Sequence, residues 1–239
     1  LFYRQDEIRT KSFAANLDQV LVLVAAEPEF SESQLTRALI AAEAEHIHPL
    51  IVLNKSDLGD TFSRAWARLE PYRRMGYEVL PLSLQDGGAT DQLHAVQQQL
   101  AGRTTLILGP SGAGKSTLIN RLVPGAQAQT GEISTALNSG KHTTTHTRWY
   151  WVDEAKQTAL IDSPGFQEFG LHHIEPTQLA QLMPDLRAHL GECRFYNCTH
   201  LHEPGGSVMA ATEGEAASIS ANRYRLYREL FDELSQTRY

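Results

Sequence analysis

Thr105-Leu-Ile-Leu108, then Gly109-Pro-Ser-Gly-Ala-Gly-Lys-Ser-Thr117, then Leu118-Ile-Asn-Arg-Leu122 reads as a strand, a tight glycine turn and a helix start. The turn matches G-x-x-x-x-G-K-[ST] at every fixed position. Its glycines let the backbone fold so that successive N–H groups and the helix N-terminus converge on one spot, which suits the anionic phosphates of a nucleotide. Gly109, Pro110, Ser111, Gly112, Ala113, Gly114, Lys115, Ser116 and Thr117 are therefore the expected phosphate cradle. Lys115 would reach the β- and γ-phosphates and Ser116 would ligate Mg²⁺.

Upstream of this turn, strands and helices alternate. Gln19-Val-Leu-Val-Leu-Val-Ala25 is continuously apolar, as a strand buried on both faces should be. Ser31 with Gln34 predicts a capped helix through about Glu45, and Pro49-Leu-Ile-Val-Leu53 predicts the next strand. A helix over 62–75, a strand over 77–83, a turn at Asp86-Gly-Gly88 and a helix over 90–100 lead back to the phosphate turn. Such alternation predicts βαβ units and a parallel sheet covered by helices.

The strand ending at Leu53 runs straight into Asn54-Lys-Ser-Asp57, at the strand end where open α/β sheets bind ligands. In an N-K-x-D turn the Asp57 carboxylate accepts two hydrogen bonds from the guanine edge, a pattern adenine does not offer. The stem of Lys55 lies over the base, and Asn54 ties the turn to the phosphate loop. Read in isolation, Ser56 or Asp57 could equally cap a helix. Downstream, Pro124 to His146 shows no sustained period and reads as a long loop, in which Lys141-His-Thr-Thr-Thr-His146 offers a threonine hydroxyl, assigned to Thr144, to complete a Mg²⁺ shell. Residues 147–152 and 158–161 form an antiparallel pair about a turn at Asp153-Glu154, and the second strand ends in Asp162-Ser-Pro-Gly165. Asp162 would hold Mg²⁺ and the Gly165 N–H would touch a γ-phosphate.

The base-reading turn precedes the phosphate loop by more than fifty residues, whereas Ras-like GTPases run phosphate loop, switch, D-x-x-G, then N-K-x-D. The order is cyclically shifted. A sheet tolerates this if the old termini lie close together; Ser83 to Arg103 is then the new connection, with Ser83 near the base.

Composition sets outer bounds. The 239 residues are 41% hydrophobic and 21% charged with a formal net charge of −7, an ordinary globular balance that argues against gripping nucleic acid over the whole surface. No apolar run approaches a membrane span and no secretory leader opens the chain. Two cysteines beside a nucleotide motif imply a reducing, cytoplasmic setting.

The permuted order, G-P-S-G-A-G-K-S-T, N-K-S-D, H-T-T-T, D-S-P-G-F and a following Cys/His cluster together resemble the RsgA (YjeQ/YloQ) family over nearly the whole chain. The resemblance implies an α/β, P-loop GTPase-like, mostly parallel sheet in circularly permuted order over 1–168, and a small helical, zinc-binding C-terminal domain over 169–239. It further implies a GTP/GDP-binding factor that acts with Mg²⁺ on the 30S ribosomal subunit and its rRNA late in maturation, as a monomer without membrane attachment. Hydrolysis would be slow until the subunit stimulates it. The family's N-terminal OB-fold is expected to be absent here, since the chain opens on Leu1-Phe-Tyr-Arg-Gln-Asp6, just past where that module would end.

The family's zinc pattern is C-x4-C-x-H-x5-C. Cys193, Cys198 and His200 match it, but Gly206 stands at the fourth position and has no ligand atom. His202 is the expected replacement; a buried Cys/His cluster without metal is the alternative. Phe166 occupies the place where Ras carries its water-orienting glutamine, so His142 of the long loop is the candidate for that role, beside Lys115 as charge neutraliser. The alternative function is a ribosome-binding module gated by nucleotide state, with incidental hydrolysis.

Overall fold

The computed structural model describes residues 2–5, 10–85, 90–126, 128, 147–163, 166, 169–195, 197–214 and 217–236. His142, Thr144 and Gly165 lie outside the described residues, as does the turn at 86–88. The chain divides into two compact units, one of Leu1–Arg4 and Thr10–Phe169, the other of Gln5–Arg9 and Gly170–Tyr239.

The chain opens with β1 (Phe2–Gln5) and β2 (Thr10–Ala14), a two-stranded ladder where the sequence shows only a polar opening. The two strands are too short for a clear period-2 signal. Phe13 stacks on Phe169 with ring centroids 5.8 Å apart and 5° between planes, and Phe2 tilts against both.

The continuously apolar β3 (Gln19–Ala25) is buried along its whole length because strands flank it on both edges. The main sheet has the order β5-β4-β3-β6-β8-β7, with β4 His48–Asn54, β5 Glu78–Leu82, β6 Thr104–Leu108, β7 Arg148–Trp151 and β8 Ala159–Asp162. The pairs β3–β4, β4–β5, β3–β6 and β6–β8 are parallel, and only β7 runs antiparallel, against β8. Leu21 and Leu23 face a core completed by Val96 and Leu100 of α4 (Thr90–Leu100) and by Leu118, Ile119 and Leu122 of α5 (Lys115–Leu122). Val20, Val22 and Val24 alternate to the other face. There α1 (Glu32–Ala44) packs on β3 and β4, its first turn capped by Ser31 Oγ, which accepts from Gln34 N at 3.3 Å.

The single helix expected over 62–75 is instead two, α2 (Gly59–Arg68) and α3 (Glu70–Arg74). Pro71 explains the break: it has no N–H to donate and clashes with the preceding turn, so it is tolerated only in the first turn of a new helix.

In the second unit, a 3-10 segment (Pro176–Leu182) precedes α6 (Pro184–Arg187), α7 (Ser207–Ala210) and α8 (Ala221–Ser235). The terminal helix is shorter than the 213–236 expected from its apolar spacing. Ser218 N and Ile219 N turn back to bond Ala211 O, and Ser220 Oγ then caps the helix by accepting from Arg223 N at 3.2 Å. Leu226, Tyr227 and Leu230 are its buried stripe, and the helix packs on the 3-10 segment. Arg223 grips Asp185 with two hydrogen bonds, at 2.8 and 3.1 Å, and both side chains are almost fully buried.

Candidate functional site

Parallel pairing brings the strand ends to one edge: Asn54 pairs with Ala25 and Leu82, Leu108 with Val22, and Asp162 with Ile107. From β3 the chain steps outward through β4 to β5, then returns by α4 to β6 on the other side of β3. That reversal makes a topological switch point between β3 and β6, the place where open sheets leave a crevice for ligand.

The glycine turn fills this point. A Cβ on Gly109 would lie 2.5 Å from Leu23 O, so only glycine lets the loop leave β6 so close to β3. Gly112 and Gly114 adopt positive φ (80° and 99°), and a Cβ on Gly114 would collide with Asn54 Nδ2. Ala113 is buried beneath the turn, Ser111 is exposed, and Pro110, Gly112, Ser116 and Thr117 are half-buried around it. Lys115, the first residue of α5, donates to Asp162 Oδ1 at 2.9 Å and to Ser163 O at 3.3 Å. Lys115 thus sits between the phosphate loop and the tip of β8, with Asp162 nearly sealed from solvent.

Asn54 joins the two motifs directly. Its Nδ2 donates to Ala113 O at 2.9 Å, and its Oδ1 is buried with no hydrogen-bond partner among the described residues. Lys55 takes the left-handed conformation (φ 68°), uncommon for a residue with a Cβ, and so turns the chain into the 3-10 turn Ser56–Leu58. Asp57 Oδ1 accepts from Ser83 Oγ at 2.8 Å, which brings the residue after β5 to the N-K-x-D turn. Ser56 Oγ donates to Gln92 Oε1 of α4 at 2.8 Å. Sequence reading missed Gln92, since one polar residue on an amphipathic helix carries no positional signal. It also missed Leu84, whose side chain approaches Gly114 and whose carbonyl accepts from Arg121 at 3.2 Å.

The residues fit a nucleotide on three grounds: a tight glycine turn at the switch point, where Cβ atoms on Gly109 and Gly114 would collide with β3 and Asn54, a lysine at the first turn of the following helix, and a buried acceptor, Asn54 Oδ1, with no partner among the described residues, which costs free energy until something donates to it. Phe166 is buried within 6.4 Å of the Phe169 ring, centroid to centroid, an apolar setting in keeping with a side chain that cannot orient water.

In the second unit Cys193, Cys198 and His200 bring their donor atoms within 4.8 Å of one another. Cys193 Sγ lies 3.4 Å from His200 Nδ1 and 3.1 Å from Ser207 Oγ. His200 is held at φ 64°, a conformation worth of order 1–3 kcal/mol in strain. Tyr224 Oη donating to His200 O and Tyr227 Oη donating to Thr199 O, both at 2.7 Å, fasten the strained turn to α8. Glu203 closes it from below, accepting from Thr199 N, Thr199 Oγ1, Leu201 N and His202 N. Burial raises the Glu203 pKa, yet these hydrogen bonds outweigh it and hold the carboxyl far below its ordinary range. Burial, with Cys193 and Glu203 nearby, pushes the Cys198 thiol up to about 11, and burial keeps His200 neutral to lower pH than usual. Neutral imidazole is the form that ligates metal. His202 is exposed and is not among the clustered donors, so the expectation that it replaces the missing fourth ligand is not met by this geometry.

A parallel sheet with a P-loop at its switch point and an N-K-x-D turn bonded to that loop from an earlier strand defines a circularly permuted P-loop GTPase. The comparisons carry this to a family: the chain matches the RsgA GTPase family over residues 1–172 and belongs to it. The small ribosomal subunit biogenesis GTPase RsgA of Variovorax paradoxus is 70% identical over 241 residues, covering 100% of this chain and 76% of that protein. Its Burkholderia pseudomallei counterpart is 52% identical over 237 residues, covering 99% and 74%. Among solved structures, YjeQ from Thermotoga maritima superposes with a TM-score of 0.76 at 28% identity over 93% of this chain and 73% of that one. YloQ, described as a circularly permuted GTPase, gives 0.72 at 28% identity over 99% and 80%.

Proposed function

We propose that this chain binds GTP and GDP at the C-terminal edge of its main sheet and hydrolyses GTP slowly during maturation of the 30S ribosomal subunit, whose contact stimulates turnover. The observation that carries the reading is Asn54 Nδ2 donating to Ala113 O, which locks the base-reading turn to the phosphate loop across the permuted order. The names of the relatives support the ribosomal role.

In this reading the backbone of residues 109–117 holds the phosphates, and Lys115 leaves Asp162 to lie against the β- and γ-phosphates, where its charge offsets what develops in transfer to water. Asp57, oriented by Ser83, accepts from the guanine edge, while Lys55 covers the base. Ser116, Thr144 and Asp162 are the proposed Mg²⁺ donors; Mg²⁺, when bound, neutralises phosphate charge. Gly165 is assigned to the γ-phosphate and His142 to the water. Cys193, Cys198 and His200 are assigned to Zn²⁺, in a helical domain separate from a GTPase domain that ends near residue 168. The partner would be the subunit's rRNA, met by a cytoplasmic monomer; among the described residues no helix is long and apolar enough to cross a membrane.

The test is GTP turnover with and without purified 30S subunits, for the native chain and His142→Ala. Stimulation of the native chain, lost in the variant with GTP affinity intact, is expected. A native chain that the subunit leaves unstimulated, yet binds only in its GTP-analogue state, would instead favour the nucleotide-gated binding module.

A further inference from the structure

The Cys/His cluster is arranged for metal but is one donor short. Structural zinc sites are closed by four protein ligands, whereas sites with three keep a position for water or another small ligand. Gly206 accounts for the shortfall. A Cβ on it would lie 3.9 Å from Cys198 Sγ, with an allowed φ of −72° and a tight 3.3 Å contact to Glu203 O, so a side chain here would start at the edge of the donor cluster. Glycine leaves that place without a donor atom.

No neighbouring group in the described residues is free to supply it. The Glu203 carboxylate lies 3.6 Å from Cys198 Sγ but is pinned by four donors of its own turn, and it falls outside the clustered set. The Ser207 hydroxyl, near Cys193, is held by its bond to His189 O at 2.6 Å and is a neutral alcohol, not one of the thiolate, imidazole or carboxylate groups that zinc takes. His202 is exposed.

We infer that Cys193, Cys198 and His200 hold Zn²⁺ through three protein donors and leave a fourth coordination position to water, exchangeable for a soluble thiolate. This rests on the assignment of metal to the cluster and goes beyond it, because a closed site would be inert to added ligand. Exchange is balanced: a thiol loses its proton to solvent, its sulfur takes the metal, and water leaves.

The experiment loads the full chain with Co²⁺ and follows its visible and thiolate charge-transfer absorption while 2-mercaptoethanol is added. The native chain should bind one cobalt, and its spectrum should shift on addition of thiol with the cobalt-to-protein ratio unchanged. Gly206→Cys should already show the added charge-transfer intensity of a third thiolate, should not respond to thiol, and should bind metal at least the roughly 10–100-fold tighter that even an outer partner of a ligand is worth. A native spectrum indifferent to thiol while cobalt stays bound overturns the open position but leaves the metal assignment standing. A native chain that takes up no cobalt overturns both. If Gly206→Cys is insoluble, Glu203→Gln replaces it: unchanged thiol response agrees with the open position, and response appearing only in that variant shows that Glu203 had closed the site.

Discussion

The edge of the main sheet and the Cys/His turn are both built by strained backbone, yet they depend on their side chains in different ways. At the sheet edge the proposed phosphate cradle is made of main-chain N–H groups, so Gly109, Gly112 and Gly114 act by what they lack, and one side-chain bond, Asn54 to Ala113 O, fastens the two motifs. At the Cys/His turn every clustered donor is a side chain, Gly206 offers none, and Tyr224, Tyr227 and Glu203 hold the turn without it. A backbone-built site tolerates exchange at its x positions, whereas a side-chain-built site can lose a ligand and keep its fold.

If that contrast holds, the supports of each region should be separable. The largest effect is expected from Arg223→Ala, which strands the Asp185 carboxylate in a nearly dry setting and should destabilise the second unit by about 3–5 kcal/mol. Hydrogen exchange should show it as lost protection in α8 with GTP affinity unchanged; equal protection before and after would mean that the pair is not what holds α8. Next comes Lys115→Ala, expected to lower kcat for GTP by roughly 10²–10³-fold, as removal of one preorganised charge-stabilising donor does elsewhere. Single-turnover assays at saturating GTP would read it, and a change confined to KM would make Lys115 a binding residue only.

Most of the sheet edge was legible beforehand because its chemistry is tied to spacing. G-x-x-x-x-G-K-S after an apolar strand leaves the backbone few conformations, and the short, unbroken, valine-rich run of β3 fits a central strand. What escaped was set by contacts distant in sequence. The β1–β2 ladder gains its support from Phe169, and Gln92 reaches Ser56 only because α4 crosses back over the sheet; the split between α2 and α3 is the exception, a local effect of Pro71 inside an otherwise helical pattern. For the Cys/His turn, the family pattern pointed to Cys193, Cys198 and His200, which do lie together in space, but gave no direction for His202, which follows the left-handed bend at His200 and is exposed.

A smaller effect is expected from Asn54→Ala, which tests whether the two motifs act as one site. It leaves Ala113 O, under the phosphate loop, without its side-chain donor, a loss of about 1–3 kcal/mol. Expressed in the GTP Kd this is roughly 5–150-fold, measured by calorimetry. GDP and GTP should weaken together, because the loop that both share is what loosens; weakening of GTP alone would place Asn54 in a γ-phosphate-sensing role instead.

The smallest effect belongs to Ser83→Ala. Asp57 is exposed, so the bond from Ser83 Oγ competes with water and its loss should cost about 0.5–1.5 kcal/mol, or roughly 2–10-fold in GTP affinity. The carboxylate itself remains, so the preference for guanine over xanthine nucleotide should persist. Asp57→Asn, by contrast, exchanges an acceptor for a donor at that edge and should shift preference toward xanthine. Measuring both nucleotides on both variants separates a residue that aims the carboxylate from the one that reads the base, and a Ser83→Ala chain that also turned to xanthine would show that Ser83 reads the base itself.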